Sequence, residues 1–408
     1  MNILIVNQPL NNRGDESAHK GLIRKLLCSI PNVYIKVLWV YANQNSVQQF
    51  RVDSPFVEYI NLTETGRGYS KISIPGMRYK CRWIWNIHPT TNKILNIYKW
   101  SDYVLCAPGG ICMGGFQDWT HLFFLDIARY LKKPLVYYGR SIGPFPEKTK
   151  DNRDFKRISL EMLNYFCFCS LRDKKSQELA KNLNVSYVPT VDSAFLDDTI
   201  VDIPNEIKAQ IGNRKYVVFV PNSLIWHYAY KGRIKKETVL YFYSLILKEI
   251  EKKYAEHLIL LLPQTYNYPK PEDNDINFFY DFQNYTKDCH LLIVKDIYSS
   301  DVQQAIIKKS ECMIGARYHS IVFAINQNIP FVALSYEHKI TGLLETLGKN
   351  DSMVDITSAL DNDASMKDAV KRFTHILDDA KPDSTITFKA KELANKCLNI
   401  FKDNYLCK

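Results

Sequence analysis

The sequence predicts an α/β protein of two Rossmann-like domains, each a parallel sheet flanked by helices. Three observations carry that prediction. Short apolar runs at 2–6, 103–106, 216–220 and 331–334 alternate with longer segments of helical period, the rhythm of strand, loop and helix repeated along the chain. The chain has 408 residues with 46% hydrophobic content, enough for two ordinary cores and more than one domain usually holds. Between 196 and 214 the rhythm lapses into a polar stretch containing Pro204 and Gly212, which marks a linker. The domains that follow are 1–197 and 198–385, with a last helical segment, 386–408.

The first strand, 2–6, runs into the polar loop 7–15 and then a helical pattern through Leu22, Leu26 and Leu27. In that loop Gly14 permits an unusual backbone angle. Asp15 and Glu16 suit either a cap on the following helix or a base that takes a proton from a substrate hydroxyl. A second strand is expected at 34–41. The pattern then weakens from 43 to 89, where the cluster MRYKCRWIW at 77–85 would serve as a sugar-stacking loop, a membrane-facing patch or a partly buried insertion. Strand 103–106 leads into a glycine-rich loop, 107–115, whose Gly109 and Gly110 let backbone amides approach an anion. Strand 134–138 leads to the turn 139–144, then come a helix near 154–164 and a strand at 166–171. After it, Asp173 should cap a helix and leave Arg172 at a strand's carboxyl end, either paired with a carboxylate or holding an anion.

The second domain restarts with strand 216–220, a helix over 236–253 and strand 257–262. Strand 291–294 and a helix at 301–308 follow; after 348 come strand 353–356 and helices near 365–377 and 389–401. Its densest collection of polar groups lies in 311–348, which reads as strand 312–314, turn 315–319, helix 321–326, strand 331–334, loop and helix. Arg317, His319, Ser320, Tyr336, His338 and Lys339 all fall at two strand ends, where open parallel sheets bind ligands. A guanidinium fork suits a carboxylate or phosphate, and an imidazole exchanges a proton near neutral pH. An anionic substrate is the natural inference.

Composition narrows the classes. The formal charge of +10 favours acidic partners, yet Lys and Arg are interspersed with Asp and Glu and no nucleic-acid module is visible, so nucleic acid is not expected as a partner. Of ten cysteines, Cys28, Cys106, Cys167, Cys169 and Cys312 lie in apolar segments and read as reduced, packed thiols; no paired Cys-x-x-Cys set offers a metal site. No apolar run reaches the roughly 20 residues that span a bilayer, and the N-terminus lacks a basic leader. A cytoplasmic protein is expected, with peripheral contact at the cytoplasmic face of the inner membrane compatible with its charge.

Several motifs together resemble the polysaccharide pyruvyl transferase family. They are Asn11-Asn12-Arg13-Gly14-Asp15, the Gly109-Gly110 loop, Gly139-Arg140-Ser141-Ile142-Gly143-Pro144, Arg172-Asp173-Lys174-Lys175-Ser176 and Asp192-Ser193-Ala194-Phe195. Arg317-Tyr318-His319 and Ser335-Tyr336-Glu337-His338-Lys339 complete the set. Arg140 stands where the family usually has Gln. The resemblance implies a glycosyltransferase-B-like arrangement with acceptor sugar on the first domain, donor on the second, and the last helix crossing back to the first. It implies transfer of pyruvate from phosphoenolpyruvate onto two hydroxyls of a sugar as a cyclic ketal, in building a capsule or exopolysaccharide, with no cofactor or metal. A lipid-linked oligosaccharide would suit a basic cytoplasmic protein as acceptor, with a free or nucleotide-linked sugar as the alternatives. His319, Asp15 and Glu16 become the candidate catalytic residues, and Arg317, Lys339, Arg172, Arg140, Ser320, Tyr336, Gly109, Gly110 and Asn12 the candidate substrate-binding residues. A glycosyltransferase using a nucleotide sugar and a non-catalytic sugar-binding relative are the alternatives.

Overall fold

The computed structural model describes residues 1–8, 12–39, 50–62, 70–114, 117–227, 230–266, 274–287 and 291–406. Asn11 and Gly115, each part of a turn singled out in the sequence, lie outside them. The chain divides into two compact units. One comprises Met1–Leu10, Asp15–Asp197 and Glu392–Lys408; the other comprises Asn11–Gly14 and Asp198–Lys391.

The first unit contains β1 (Asn2–Val6), β2 (Tyr34–Trp39), β3 (Val57–Asn61), β4 (Tyr103–Cys106), β5 (Gly109–Met113), β6 (Leu135–Ile142), β7 (Phe168–Leu171) and β8 (Val188–Pro189). Their order is β3-β2-β1-β4-β6-β7-β8, with β5 also paired to β6 and every pairing parallel. The second unit contains β9 (Tyr216–Val220), β10 (Leu258–Leu261), β11 (Leu291–Ile293), β12 (Met313–Gly315), β13 (Phe331–Ser335) and β14 (Met353–Asp355), in the parallel order β11-β10-β9-β12-β13-β14. Both are doubly wound sheets. Helices cover the two faces of such a sheet, which is why central strands read as unbroken apolar runs: Ile3 to Val6 and Val217 to Val220 are wholly buried. The order reverses between β1 and β4 in one sheet and between β9 and β12 in the other, so each sheet has one crevice at its switch point.

The structure departs from the sequence reading in several places. Strand β6 continues through Gly139 and Arg140 to Ile142 instead of turning after Tyr138, because Ser141 and Ile142 stay paired with β5. Residues 109–113, expected as a loop, form β5. Strand β3 was not anticipated, and the stretch expected as a linker holds a short helix, Asn205–Ile211. In the aromatic cluster Trp85 is buried against Phe123, while Tyr79 and Trp83 are exposed. Cys28 is exposed, whereas Cys106, Cys169 and Cys312 are buried thiols, and among the described residues no cysteine is in a disulfide.

The last long helix, Ser384–Phe401, begins in one unit and ends in the other. Near its start Thr387 Oγ1 donates to the Ile325 carbonyl at 2.8 Å; near its end the Phe401 ring sits 5.1 Å from Phe168 and 5.9 Å from Tyr138.

Candidate active site

Register explains why the second unit gathers polar groups at one place. Gly315 of β12 is level with Val220 of β9, and Leu261 of β10 is level with Phe219, so the residues just past these strands emerge side by side. Neighbouring strands lie about 4.8 Å apart, within reach of one small ligand. Arg317 emerges two residues after β12 and is tied by Nε (3.1 Å) and Nη2 to Oδ1 of Asp275, the first residue of the helix Asp275–Thr286. The other oxygen of Asp275 accepts from the backbone N–H groups of Gln264 and Thr265, each at 3.0 Å. The Arg317 guanidinium also lies 5.5 Å from the centre of the Trp226 ring, and Trp226 Nε1 donates to Asn222 Oδ1 at 3.0 Å. A buried carboxylate and an indole thus hold one guanidinium in place.

His319 lies two residues further on, within the helix Tyr318–Asn326, which begins earlier than the sequence pattern indicated. Its imidazole is buried against the Gly14 backbone, where an added methyl would come within 1.8 Å of Cγ and Nδ1. Gly14 itself belongs to the second unit together with Asn12, whose Oδ1 accepts from the Gly14 N–H at 2.7 Å. The helix cap at this turn therefore comes from Asn12, not from Asp15. Arg13 N–H donates to the Gln264 carbonyl at 3.0 Å, and Asn12 bridges to Thr265, which fixes the loop beside the end of β10.

At the end of β13, Lys339 Nζ is 3.3 Å from Glu337, whose other oxygen is 3.8 Å from His227 Nε2. Burial raises the Glu337 pKa, but Lys339, His227 and His338 together outweigh it and hold the carboxyl below its ordinary value. His227 is held below its own usual range, chiefly by burial. Tyr336 and Ser320 do not face open space. Tyr336 is buried in the core beside His227 and Trp226, its hydroxyl pushed well up by burial, and Ser320 Oγ donates to the Arg317 carbonyl. Both shape the site from behind.

The remaining candidates lie in the first unit. Asp15 is half-buried, with Oδ1 3.0 Å from where a Cβ on Gly109 would stand; Gly110 has open space at the same position. Arg140 is buried and donates to the carbonyls of Asn7, Ala107 and Gly110, so its guanidinium binds three chain segments at the switch point of this sheet. Glu16 is enclosed and paired with Lys20 at 2.7 Å. Arg172 is enclosed with Asp192, the carboxylate pairing that the sequence left open, while Asp173 caps its helix through Ser176 as expected. Gly114, at φ +153°, has Gly143 backbone atoms 2.6–2.7 Å from its would-be Cβ, which packs the glycine loop onto the turn after β6.

The structure thus gathers Arg317, His319, Asn12 and Lys339 along the strand ends of one unit, and Asp15, Gly109, Gly110 and Arg140 in the other. Asp275 and Trp226 escaped the sequence reading, and Asn222 and Gln264, though they stand in turns after strands, were not among its candidate site residues. A signal for two of them was present: Pro221-Asn222 and Pro263-Gln264 place a proline and an amide after adjacent strands. Among the described residues no group of three or more His, Cys, Asp or Glu is arranged to hold a metal ion.

Two parallel six-to-eight-stranded sheets, each with a polar switch point, define a protein of glycosyltransferase-B-like architecture. The chain belongs to the polysaccharide pyruvyl transferase family, whose pattern it matches over residues 41–338. It is 24% identical over 243 residues to the amylovoran biosynthesis protein AmsJ of Erwinia amylovora, a match that covers 57% of either chain, so it spans little more than half of that relative. In fold it is similar to the UDP-GlcNAc 2-epimerase of Neisseria meningitidis solved with UDP-GlcNAc (TM-score 0.57, 12% identity, 98% of this chain and 99% of that one). It is similar also to Arabidopsis thaliana UGT89C1 solved with UDP-L-rhamnose (TM-score 0.53, 11% identity, 98% of both chains).

Proposed function

We propose that this protein transfers pyruvate from phosphoenolpyruvate onto two hydroxyls of one sugar, as a cyclic ketal, in the synthesis of a cell-surface polysaccharide. The observation that carries the reading is the family match running through Arg317, His319 and Tyr336, at a place where cationic and proton-transferring groups share neighbouring strand ends. Phosphoenolpyruvate bears a carboxylate and a phosphate on a three-carbon frame and needs a fork-shaped cation with a second positive group. Arg317 is the fork and Lys339 the second group. His319 exchanges the proton: C3 of the enol phosphate is protonated, C2 becomes electrophilic, and the first sugar hydroxyl adds there. Phosphate then leaves and the second hydroxyl closes the ring. Of the two protons released by the hydroxyls, one balances that taken by C3 and the other leaves on the phosphate.

Asp15 serves as base toward the acceptor, since Glu16 is enclosed with Lys20. Gly109 and Gly110 line the acceptor side, and Arg140 and Arg172 support it from beneath through the carbonyls and the carboxylate they hold. The acceptor is a sugar carried on a lipid-linked oligosaccharide, met by a cytoplasmic protein at the membrane surface, and no cofactor beyond the donor enters the scheme.

Phosphate release and an acid-labile mass gain, followed with phosphoenolpyruvate and a panel of galactosides, glucosides and mannosides, test the reading. Arg317→Ala should abolish donor binding, and His319→Ala should keep binding measurable while removing turnover. Full activity in either variant, or a melting temperature raised by uridine or cytidine nucleotides and not by phosphoenolpyruvate, would overturn it.

A further inference from the structure

The strand ends of the second unit hold polar groups that the proposed chemistry has not used. Asn222 follows β9 by two residues and Gln264 follows β10 by three; both side chains are buried, at 0% and 1% exposure. Asn222 Oδ1 is engaged, accepting from Trp226 Nε1 at 3.0 Å and from the Leu224 N–H at 3.3 Å, which fixes the orientation of the amide and leaves Nδ2 as its donor end. Among the described residues neither Asn222 Nδ2 nor Gln264 Nε2 has a hydrogen-bond partner, and neither does Thr265 Oγ1 beside them. A buried donor left unsatisfied costs about 1–3 kcal/mol, so three in one place call for an explanation.

Their position supplies it. The register that sets Leu261 level with Phe219, and Val220 level with Gly315, brings Gln264, Asn222 and Arg317 out on three adjacent strands, β10, β9 and β12, at the point where the strand order reverses. The contacts between them are continuous. Asp275 joins the Gln264 and Thr265 backbone to Arg317, and Trp226 joins Arg317 to Asn222. Two neutral N–H donors flanking a guanidinium are complementary to an oxyanion, and to little else.

We propose that the side-chain amides of Asn222 and Gln264 form, with Arg317, an oxyanion subsite that takes one end of the anionic substrate, with Asp275 positioning the guanidinium within it. The proposal rests on the reading of an anionic donor but not on pyruvyl transfer itself. Carboxylate and phosphoryl oxygens share the required chemistry, so the probes are inorganic phosphate, pyruvate and phosphoenolpyruvate, titrated calorimetrically into the full-length protein.

Gln264→Leu removes one donor without adding charge, and Asn222→Asp keeps the oxygen that holds Trp226 while replacing the donor. Each is expected to weaken phosphoenolpyruvate binding about tenfold or more. Inorganic phosphate should weaken in parallel if the subsite takes the phosphoryl end, and pyruvate if it takes the carboxylate. Unchanged melting temperatures separate loss of binding from loss of fold, and Gln264→Asn, which retains a donor on a shorter arm, should recover part of the affinity. Unaltered affinity for all three probes in folded Gln264→Leu and Asn222→Asp overturns the subsite and leaves the proposed function standing. Wild-type binding of phosphate without phosphoenolpyruvate turnover leaves the subsite and overturns the function.

Discussion

A single hydrogen atom separates a working position 14 from a blocked one. The Gly14 backbone passes so close to His319 that a methyl there would lie 1.8 Å from ring atoms, so the imidazole must shift by an ångström or more to admit it. In the proton-transferring role proposed for His319, a displacement of that size costs about a hundredfold in rate. Gly14→Ala is therefore expected to lower kcat about a hundredfold while donor affinity changes only a few-fold, as read by steady-state kinetics beside calorimetry. Near-normal kcat would show that the ring has room to move. Position 14 and position 319 illustrate what could be read beforehand: both stood in recognisable turns, but their contact joins segments far apart in the chain and no local pattern announces it. The strand-end positions of Arg317 and Lys339 were legible because an apolar strand ends two residues before the one and four before the other. Asp275 was not, since it stands 42 residues from its partner Arg317 in a segment with no motif of its own.

Elements were legible where burial coincides with an unbroken apolar run. Strands β1, β9, β10 and β13 are apolar but for Asn2 and Ser335 at their ends, and were found within a residue or two of their bounds. Strand β3, at an edge and only partly covered, carries Glu58 and Asn61 and offers no apolar run. Strand β5 is rich in glycine, and the second half of β6 begins with Gly139-Arg140, which imitate a turn when seen in sequence alone. The helix Arg13–Ser29 makes a testable statement at this scale. On it, His19 is wholly buried, with Nε2 3.2 Å from the Tyr59 hydroxyl, and burial, reinforced by Lys20 and Arg24, lowers its pKa to about 3. Between pH 6.5 and about 3 the unfolded chain takes a proton on this ring that the folded chain refuses. Stability contributed at neutral pH is thus lost as pH falls through that window, by up to about 1.4 kcal/mol per pH unit. Urea midpoints at pH 6.5 and 4.5 should therefore converge in His19→Gln relative to the wild type; equal pH dependence in both would refute the assignment.

For the whole molecule, the charge of +10 bears on the anionic donor proposed above, drawing it in before any contact forms. Raising ionic strength from about 10 mM to about 150 mM shortens the screening length to roughly 8 Å, and kcat/KM for phosphoenolpyruvate should fall severalfold while KM for an uncharged glycoside holds. A salt-independent kcat/KM would mean that the charge is spent elsewhere on the surface. Among the described residues no helix is long and apolar enough to cross a membrane.

The division of the helix Ser384–Phe401 between the two units has a practical consequence for cloning. Its last turns bring Phe401 against Phe168 and Tyr138, so a fragment stopped at residue 197 leaves aromatic rings of its own core bare, while one spanning 198–408 carries an orphaned apolar tail. No single cut in the gene yields either half intact, and a soluble excised first half has to bring its distant closing segment along through an engineered linker.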